Sequence, residues 1–330
     1  MKFLVIRFSS IGDIVLTTPV VRCLKQQVPG AVVHYLTKTE YAGLVHTNPY
    51  IDKVITLDSS WDLMIHQLQQ EGYDHIIDLH HNLRTLGVKK ALKQVPATSF
   101  NKLNFHKWLL TALKINILPK EHIVDRYLNT LQKFQVTNDG AGLDYFLPEE
   151  AVVSSEDLPT SHQMGYIGMV IGAALNTKKM PVAKLQQLCR ELSYPIILLG
   201  GPEDKAAGDE IAVMDPIKVY NACGKFNLNE SADLVRKATL VITHDTGLMH
   251  IAAAFQKPMI SIWGNTVPAF GMHAYYGDQP SKDSIAEINK LWCRPCSKIG
   301  YKKCPLGHFK CMQVQDAKRI AAIAGSRLSK

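Results

Sequence analysis

Short apolar runs alternate with stretches of helical period along most of this chain. Phe3-Leu4-Val5-Ile6, flanked by Lys2 and Arg7, reads as a buried strand, since four consecutive apolar residues suit a strand covered on both faces. A helical pattern runs from about Gly12 to Gln27, where Pro29-Gly30 stops it. Ala31–Leu36, Lys53–Leu57 and His75–Leu79 repeat the strand pattern, and Trp61–Gln70, Phe105–Leu113 and Ile123–Phe134 repeat the helical one. This alternation predicts an α/β fold with an open parallel sheet and helices on both faces.

The rhythm lapses between Val136 and Met164, where Asn138-Asp139-Gly140, Pro148, paired acids and Ser/Thr read as a linker. It resumes with strands at Tyr166–Ile171, Pro195–Leu199, Lys218–Tyr220, Leu240–Thr243 and Pro258–Trp263. Helices are expected between them at Pro181–Leu192, Glu203–Val213, Asn229–Ala238 and Gly247–Phe255. The expected organisation is therefore two Rossmann-like domains, 1–150 and 151–312, with a cleft between them, and a C-terminal helix within 313–330. That helix, Gln313–Leu328, offers Val314, Ile320 and Ile323 for a buried stripe.

Charge changes the picture. The chain of 330 residues carries a formal net charge of +8. The last 49 residues hold 11 Lys/Arg against 3 Asp/Glu, a surplus equal to the whole net charge. Between Leu79 and Lys120 stand eight basic residues and no acid, among them Arg84, Lys89, Lys90 and Lys93. Such a stretch is a solvated face or a surface for an anionic partner. No apolar run approaches the ~18 residues of a membrane helix. The start of the chain is too short in apolar residues for a signal segment, so a cytoplasmic location is expected. Four of seven cysteines, Cys293, Cys296, Cys304 and Cys311, crowd the basic tail with C-x2-C-x7-C-x6-C spacing, and His308 lies among them. The set is a candidate structural zinc site, but the spacing departs from common zinc ribbons and fingers, and a reduced, packed loop is favoured.

Three loops carry candidate chemistry, each leaving the carboxyl end of an expected strand, where open α/β sheets bind ligands. No G-x-G-x-x-G or Walker-type loop is present. The first loop is Phe8-Ser9-Ser10-Ile11-Gly12-Asp13, in which Gly12 lets backbone approach a ligand and Asp13 stands in the first helical turn. Ser10-x-x-Asp13 also matches a capping box, and a carboxylate is favourable at a helix start in either role. The second, Thr243-His244-Asp245-Thr246-Gly247-Leu248-Met249-His250, opens a helix whose N-terminus attracts phosphate, with Asp245 or Thr246 able to cap it. The third, Gly172 to Pro181, presents Lys178 and Lys179.

Together these residues resemble glycosyltransferase family 9, the bacterial ADP-heptose:lipopolysaccharide heptosyltransferases. The resemblance rests on Arg7-Phe8-Ser9-Ser10-Ile11-Gly12-Asp13-Ile14-Val15 with Thr17-Thr18-Pro19, on Lys178-x-x-Pro181, on Asp245-Thr246-Gly247-Leu248-Met249-His250, and on Cys304-Pro305-Leu306-Gly307-His308. It implies a GT-B fold, with acceptor bound by the first domain and a nucleoside-diphosphate sugar by the second. It further implies an inverting transfer in which Asp13 is the general base. Lys178, Asp245, Thr246, Gly247 and His250, with Ser10 and Gly12, would be donor or diphosphate contacts, and Glu203 or Asp204 would meet the ribose. The acidless stretch would meet an anionic glycolipid acceptor, with peripheral contact to the inner membrane surface. No cofactor is implied for catalysis, and a monomer without a nucleic-acid partner is expected. The alternatives are a nucleic-acid or anionic-glycan binding module using the basic tail, or another sugar-nucleotide enzyme on the same scaffold.

Overall fold

A computed structural model describes residues 1–57 and 60–329. In its first unit the strands are β1 (Lys2–Ile6), β2 (Val32–Lys38), β3 (Lys53–Leu57), β4 (His75–Asp78) and β5 (Ala97–Ser99). They lie in the order β3-β2-β1-β4-β5, every pair parallel, with Leu4 registered against His34 on one side and Ile76 on the other. The apolar run Phe3–Ile6 is fully buried, as a central strand covered on both faces requires. Its helices are α1 (Ile11–Val15), α2 (Thr18–Gln27), α3 (Trp61–Gln70), α4 (Leu83–Ala91) and α6 (Ile123–Leu128), while α5 (Asn104–Trp108), between α4 and α6 in the chain, belongs to the second unit. Leu4, Ile6, Leu36, Ile55 and Ile76 pack against Met64, Leu68 and Val88 of α3 and α4.

The single helix expected from Gly12 to Gln27 is two. Pro19 has no N–H to bond within the preceding turn, so the chain re-starts at Thr18 with Pro19 in the first turn of α2. Helix α4 and strand β5 were not expected from the hydrophobic pattern. α4 presents only Thr85 and Val88 to the interior, and β5 has three residues.

The second sheet contains β6 (Ile167–Val170), β7 (Ile196–Leu199), β8 (Val219–Asn221), β9 (Leu240–His244), β10 (Met259–Trp263) and β11 (Asp283–Glu287). Their order is β11-β10-β9-β6-β7-β8, again all parallel. Helices α7 (Val182–Glu191), α8 (Lys205–Ala212), α9 (Leu228–Lys237), α10 (Gly247–Ala254), α11 (Lys310–Gln313) and α12 (Ala317–Leu328) complete it. The C-terminal helix begins at Ala317, later than expected, because the Asp316 side chain caps it by accepting from Arg319 N at 3.0 Å. Its buried face is Ala317, Ile320 and Ala324, and Val314 is exposed.

The two compact units interleave along the chain. The first takes residues 1–103, 121–146 and 275–279; the second takes 104–120, 147–274 and 280–330. Residues 275–279 are held in the first unit by Asn138 Nδ2 donating to Tyr275 Oη at 2.6 Å and Asp278 N donating to Gly140 O at 2.8 Å. The His122 ring also stacks on Tyr275, with ring centres 4.7 Å apart. No described helix is long and apolar enough to cross a membrane.

Candidate active site

In each sheet the strand order reverses at one place, between β1 and β4 and between β6 and β9. Loops leaving the carboxyl ends of strands at such a switch point diverge and open a crevice. All three motif loops leave strands that flank these points.

In the first unit, Arg7 organises the crevice. Its Nη2 pairs with Asp13 Oδ1 at 2.8 Å. Its Nε donates to Ser9 O at 2.7 Å, while Nη1 donates to Leu79 O at 2.6 Å and to Tyr127 Oη at 3.0 Å. One guanidinium therefore ties the β1 loop to the β4 loop across the switch point. Burial opposes the Arg7 charge, and Asp13 beside it holds the pKa above the usual arginine range. The other carboxylate oxygen of Asp13 accepts from Ser10 Oγ at 2.8 Å and Ser10 N at 3.3 Å, so the expected capping box forms. Asp13 remains 20% exposed, against 9% for Arg7, which leaves its carboxylate open to a ligand as well. Gly12 is buried in α1 beside it. Sequence reasoning passed over His80, whose ring meets Phe8 edge-on; burial and Arg7 push its pKa down to about 4, so it is neutral.

In the second unit, the structure joins two motifs that are 67 residues apart. Lys178 Nζ pairs with Asp245 Oδ2 at 2.7 Å and donates to Asp245 O at 3.2 Å. Thr266 Oγ1 also donates to Asp245 Oδ2, at 2.8 Å. Asp245 is thus engaged by Lys178 and Thr266 and does not cap α10. The N-cap residue Thr246 is extended and makes no side-chain cap either. The backbone N–H groups at Gly247 are left uncapped next to a lysine ammonium, an arrangement that binds phosphate. His244, also missed from sequence, is fully buried and accepts from Met180 N at 3.0 Å through Nε2, so it links the lysine loop to the end of β9. Burial and the nearby Lys179 lower its pKa to about 4.

Other expectations are redistributed. Lys179 pairs with Asp204 Oδ1 at 2.6 Å, and Asp204 is buried, so of the two ribose candidates only Glu203 is exposed. Gly172 makes room for that pair: a Cβ there would lie 2.3 Å from Asp204 Oδ2. His250 is 2% exposed, inside α10. Lys89 is not available to an acceptor, because it pairs with the buried Asp78 at 2.8 Å; the acid stands one residue before the acidless stretch begins. Arg84, Lys90 and Lys93 are exposed. Cys293 lies 3.7 Å from His308 Nε2, and no disulfide joins the cysteines among the described residues. Burial and neighbouring thiols raise Cys296 to about 11 and Cys311 to about 12. Among the described residues, no three Cys, His, Asp or Glu side chains are gathered as a metal site.

A family model for glycosyltransferase family 9 (heptosyltransferase) matches residues 61–306. The chain belongs to glycosyltransferase family 9. Lipooligosaccharide heptosyltransferase 2 of Haemophilus influenzae is 28% identical over 295 residues, covering 82% of this chain and 85% of that protein. A family 9 glycosyltransferase from Veillonella parvula superposes with a TM-score of 0.79 at 22% identity, covering 99% of this chain and 97% of that one. The ADP-heptose lipopolysaccharide heptosyltransferase II of E. coli gives 0.73 at 20% identity, with 100% and 99% covered. The two Rossmann-like sheets are accordingly those of a GT-B glycosyltransferase. This family 9 enzyme also has a cavity of about 560 Å³ in its second unit, lined by Leu110, Lys114, Val267, Glu287, Trp292 and Arg294 among others. Arg294 pairs with Glu287 at 2.7 Å and donates to Thr266 O at 2.9 Å, which places the cavity wall one residue from the Lys178–Asp245–Thr266 cluster.

Proposed function

We propose that this family 9 enzyme transfers a heptose, with inversion, from ADP-heptose to a hydroxyl of a lipopolysaccharide core or lipid A acceptor. The observation that carries the reading is the division of chemistry between two switch points: an arginine-held carboxylate on one, an ammonium and an uncapped helix end on the other. Inverting transfer needs both, a base for the acceptor hydroxyl proton and cationic groups for the departing diphosphate. Asp13 is the base. Lys178 and the amide groups at Thr246 and Gly247 take the charge that develops on ADP, with Asp245 and Thr266 fixing the ammonium, so the reaction needs no metal. Glu203 is the carboxylate able to meet the ribose, and Asp204 and His250 support the donor loop from within.

Arg84, Lys90 and Lys93 are candidates for the acceptor's anionic groups. The enzyme works as a monomer in the cytoplasm, at the inner membrane surface where a glycolipid acceptor is presented. The donor and acceptor named for the similar enzymes support this choice of substrates. Incubating the protein with ADP-heptose and a deacylated core acceptor, and weighing the products by mass spectrometry, tests it. A product heavier by one heptose is expected. Transfer only from a different nucleotide sugar, or none from any of a panel, overturns the assignment.

A further inference from the structure

We propose that residues 104–120 and 288–303 of the second unit form one surface that docks on an anionic lipid bilayer. Helix α5 and its continuation Leu109–Leu113 are anchored by the buried Leu110 and turn Phe105 and Trp108 outward, 63% and 54% exposed. These rings stack on each other, with centres 6.2 Å apart. Leu113, Ile115 and Ile117 continue the exposed apolar residues along the same segment. The second stretch adds Trp292, 73% exposed, and Ile299. The two stretches are joined: Lys114 Nζ donates to Pro295 O at 2.7 Å and Cys293 O at 3.3 Å, and Lys298 Nζ donates to Asn104 Oδ1 at 3.4 Å. Single exposed apolar residues need no explanation, whereas this many on adjoining segments mark an interaction surface.

Charge selects the occupant. Neither stretch contains an acid, while Lys107, Lys114 and Lys120 stand on the first and Lys290, Lys298, Lys302 and Lys303 on the second. A second copy of the chain would set lysine against lysine. A nucleic acid would satisfy the lysines and leave Leu113, Ile115 and Ile117 in water. An anionic bilayer answers both features: lysines reach phosphate headgroups, Trp and Phe lie at the interface, and Leu and Ile enter the acyl boundary. The inference rests on the glycolipid-acceptor reading only for the membrane's relevance in the cell.

The test is co-sedimentation of the full chain with vesicles that contain no glycolipid, in about 0.1 M salt. Vesicles of phosphatidylethanolamine with roughly one-third phosphatidylglycerol are compared with pure phosphatidylcholine. Binding to the anionic vesicles is expected, weakened at least about tenfold in Phe105→Ser/Trp108→Ser. Lys298→Glu/Lys302→Glu should abolish the preference for anionic lipid. Ile115→Asn/Ile117→Asn, in chain outside any helix, repeats the test should the aromatic pair disturb α5. Transfer to a soluble acceptor should be unchanged in all three, so failure of the surface and failure of the transferase assignment are read separately. No binding to anionic vesicles, binding unaffected by the apolar variants, or stronger retention by single-stranded RNA than by vesicles overturns the proposal.

Discussion

Asp13→Asn separates the two roles that the first loop gives its carboxylate. The amide keeps the shape and an oxygen that can still face Arg7 Nη2, now 2.8 Å from Asp13 Oδ1. Its nitrogen must then face Ser10 Oγ, which can turn to accept, and the Ser10 N–H, which cannot. Arg7 loses its counter-charge but keeps Ser9 O, Leu79 O and Tyr127 Oη as acceptors. One charge-assisted bond weakened and one donor left facing a donor should cost about 1–3 kcal/mol of stability, less than breaking a fully buried pair. Loss of the base should lower kcat by about 10²–10⁴-fold, or roughly 3–5 kcal/mol of barrier. Donor affinity should stay within about threefold, because Lys178 and the α10 end bind the diphosphate without Asp13. Thermal unfolding, donor titration and turnover are measured on one preparation. A folded variant with near-native kcat refutes the base, and leaves Asp13 as the N-terminal partner of Ser10 and Arg7 only.

Lys178→Ala should weaken donor binding by roughly 10–100-fold as well as lowering kcat, since a charge-assisted contact is removed in ground and transition states alike; an unchanged donor Kd in a calorimetric titration would refute it. The triple change Arg84→Glu, Lys90→Glu, Lys93→Glu should raise the acceptor KM at low salt and leave donor Kd alone, whereas reversing Lys89 should cost stability because buried Asp78 loses its partner. Burial pushes the Asp283 carboxyl up to about 6, against bonds from Ser261 N and Oγ that pull it down. Its contribution to stability is therefore complete below about pH 4 and is lost as pH rises through about 6, a penalty of up to about 3 kcal/mol at pH 8. Asp283→Asn should accordingly gain in melting temperature relative to native at pH 8 more than at pH 5, and equal differences at both would contradict this. Turnover should survive excess EDTA, and metal analysis should find less than roughly 0.1 equivalent of zinc or iron; a stoichiometric metal would show that Cys293, Cys296, Cys304 and Cys311 close around an ion.

Strands with unbroken apolar runs were legible in the sequence because burial on both faces leaves no choice of residue, as in Phe3–Ile6 and Leu240–Val241-Ile242. Two edge strands were legible, β3 as Lys53–Leu57 and β8 as Lys218–Tyr220, but β5 and β11 were not. β11, Asp283-Ser-Ile-Ala-Glu, is half exposed and reads as polar loop. The site motifs were legible as loops at strand ends, but not their pairings. Nothing in Lys178-Lys179 says that the first lysine meets Asp245 and the second Asp204, because those partners come from different strands of the sheet. The same limit hid Asp78 under Lys89. A charge inventory along the chain counts neighbours in sequence, and ion pairs form between neighbours in space.

The return of residues 275–279 to the first unit bears on how the protein is made. During synthesis the first sheet is complete once Ser99 has emerged, yet the edge at His122 and Asn138–Gly140 stays open until Tyr275 and Asp278 arrive. By then five of the six strands of the second sheet are already in the chain. Completion of the first unit is thus timed by translation of the second, and a nascent chain halted short of Tyr275 carries an unbuckled first unit however long it waits. Residues 104–120 run the opposite way, made early and kept for the unit made late. A cut at the linker would separate neither unit whole.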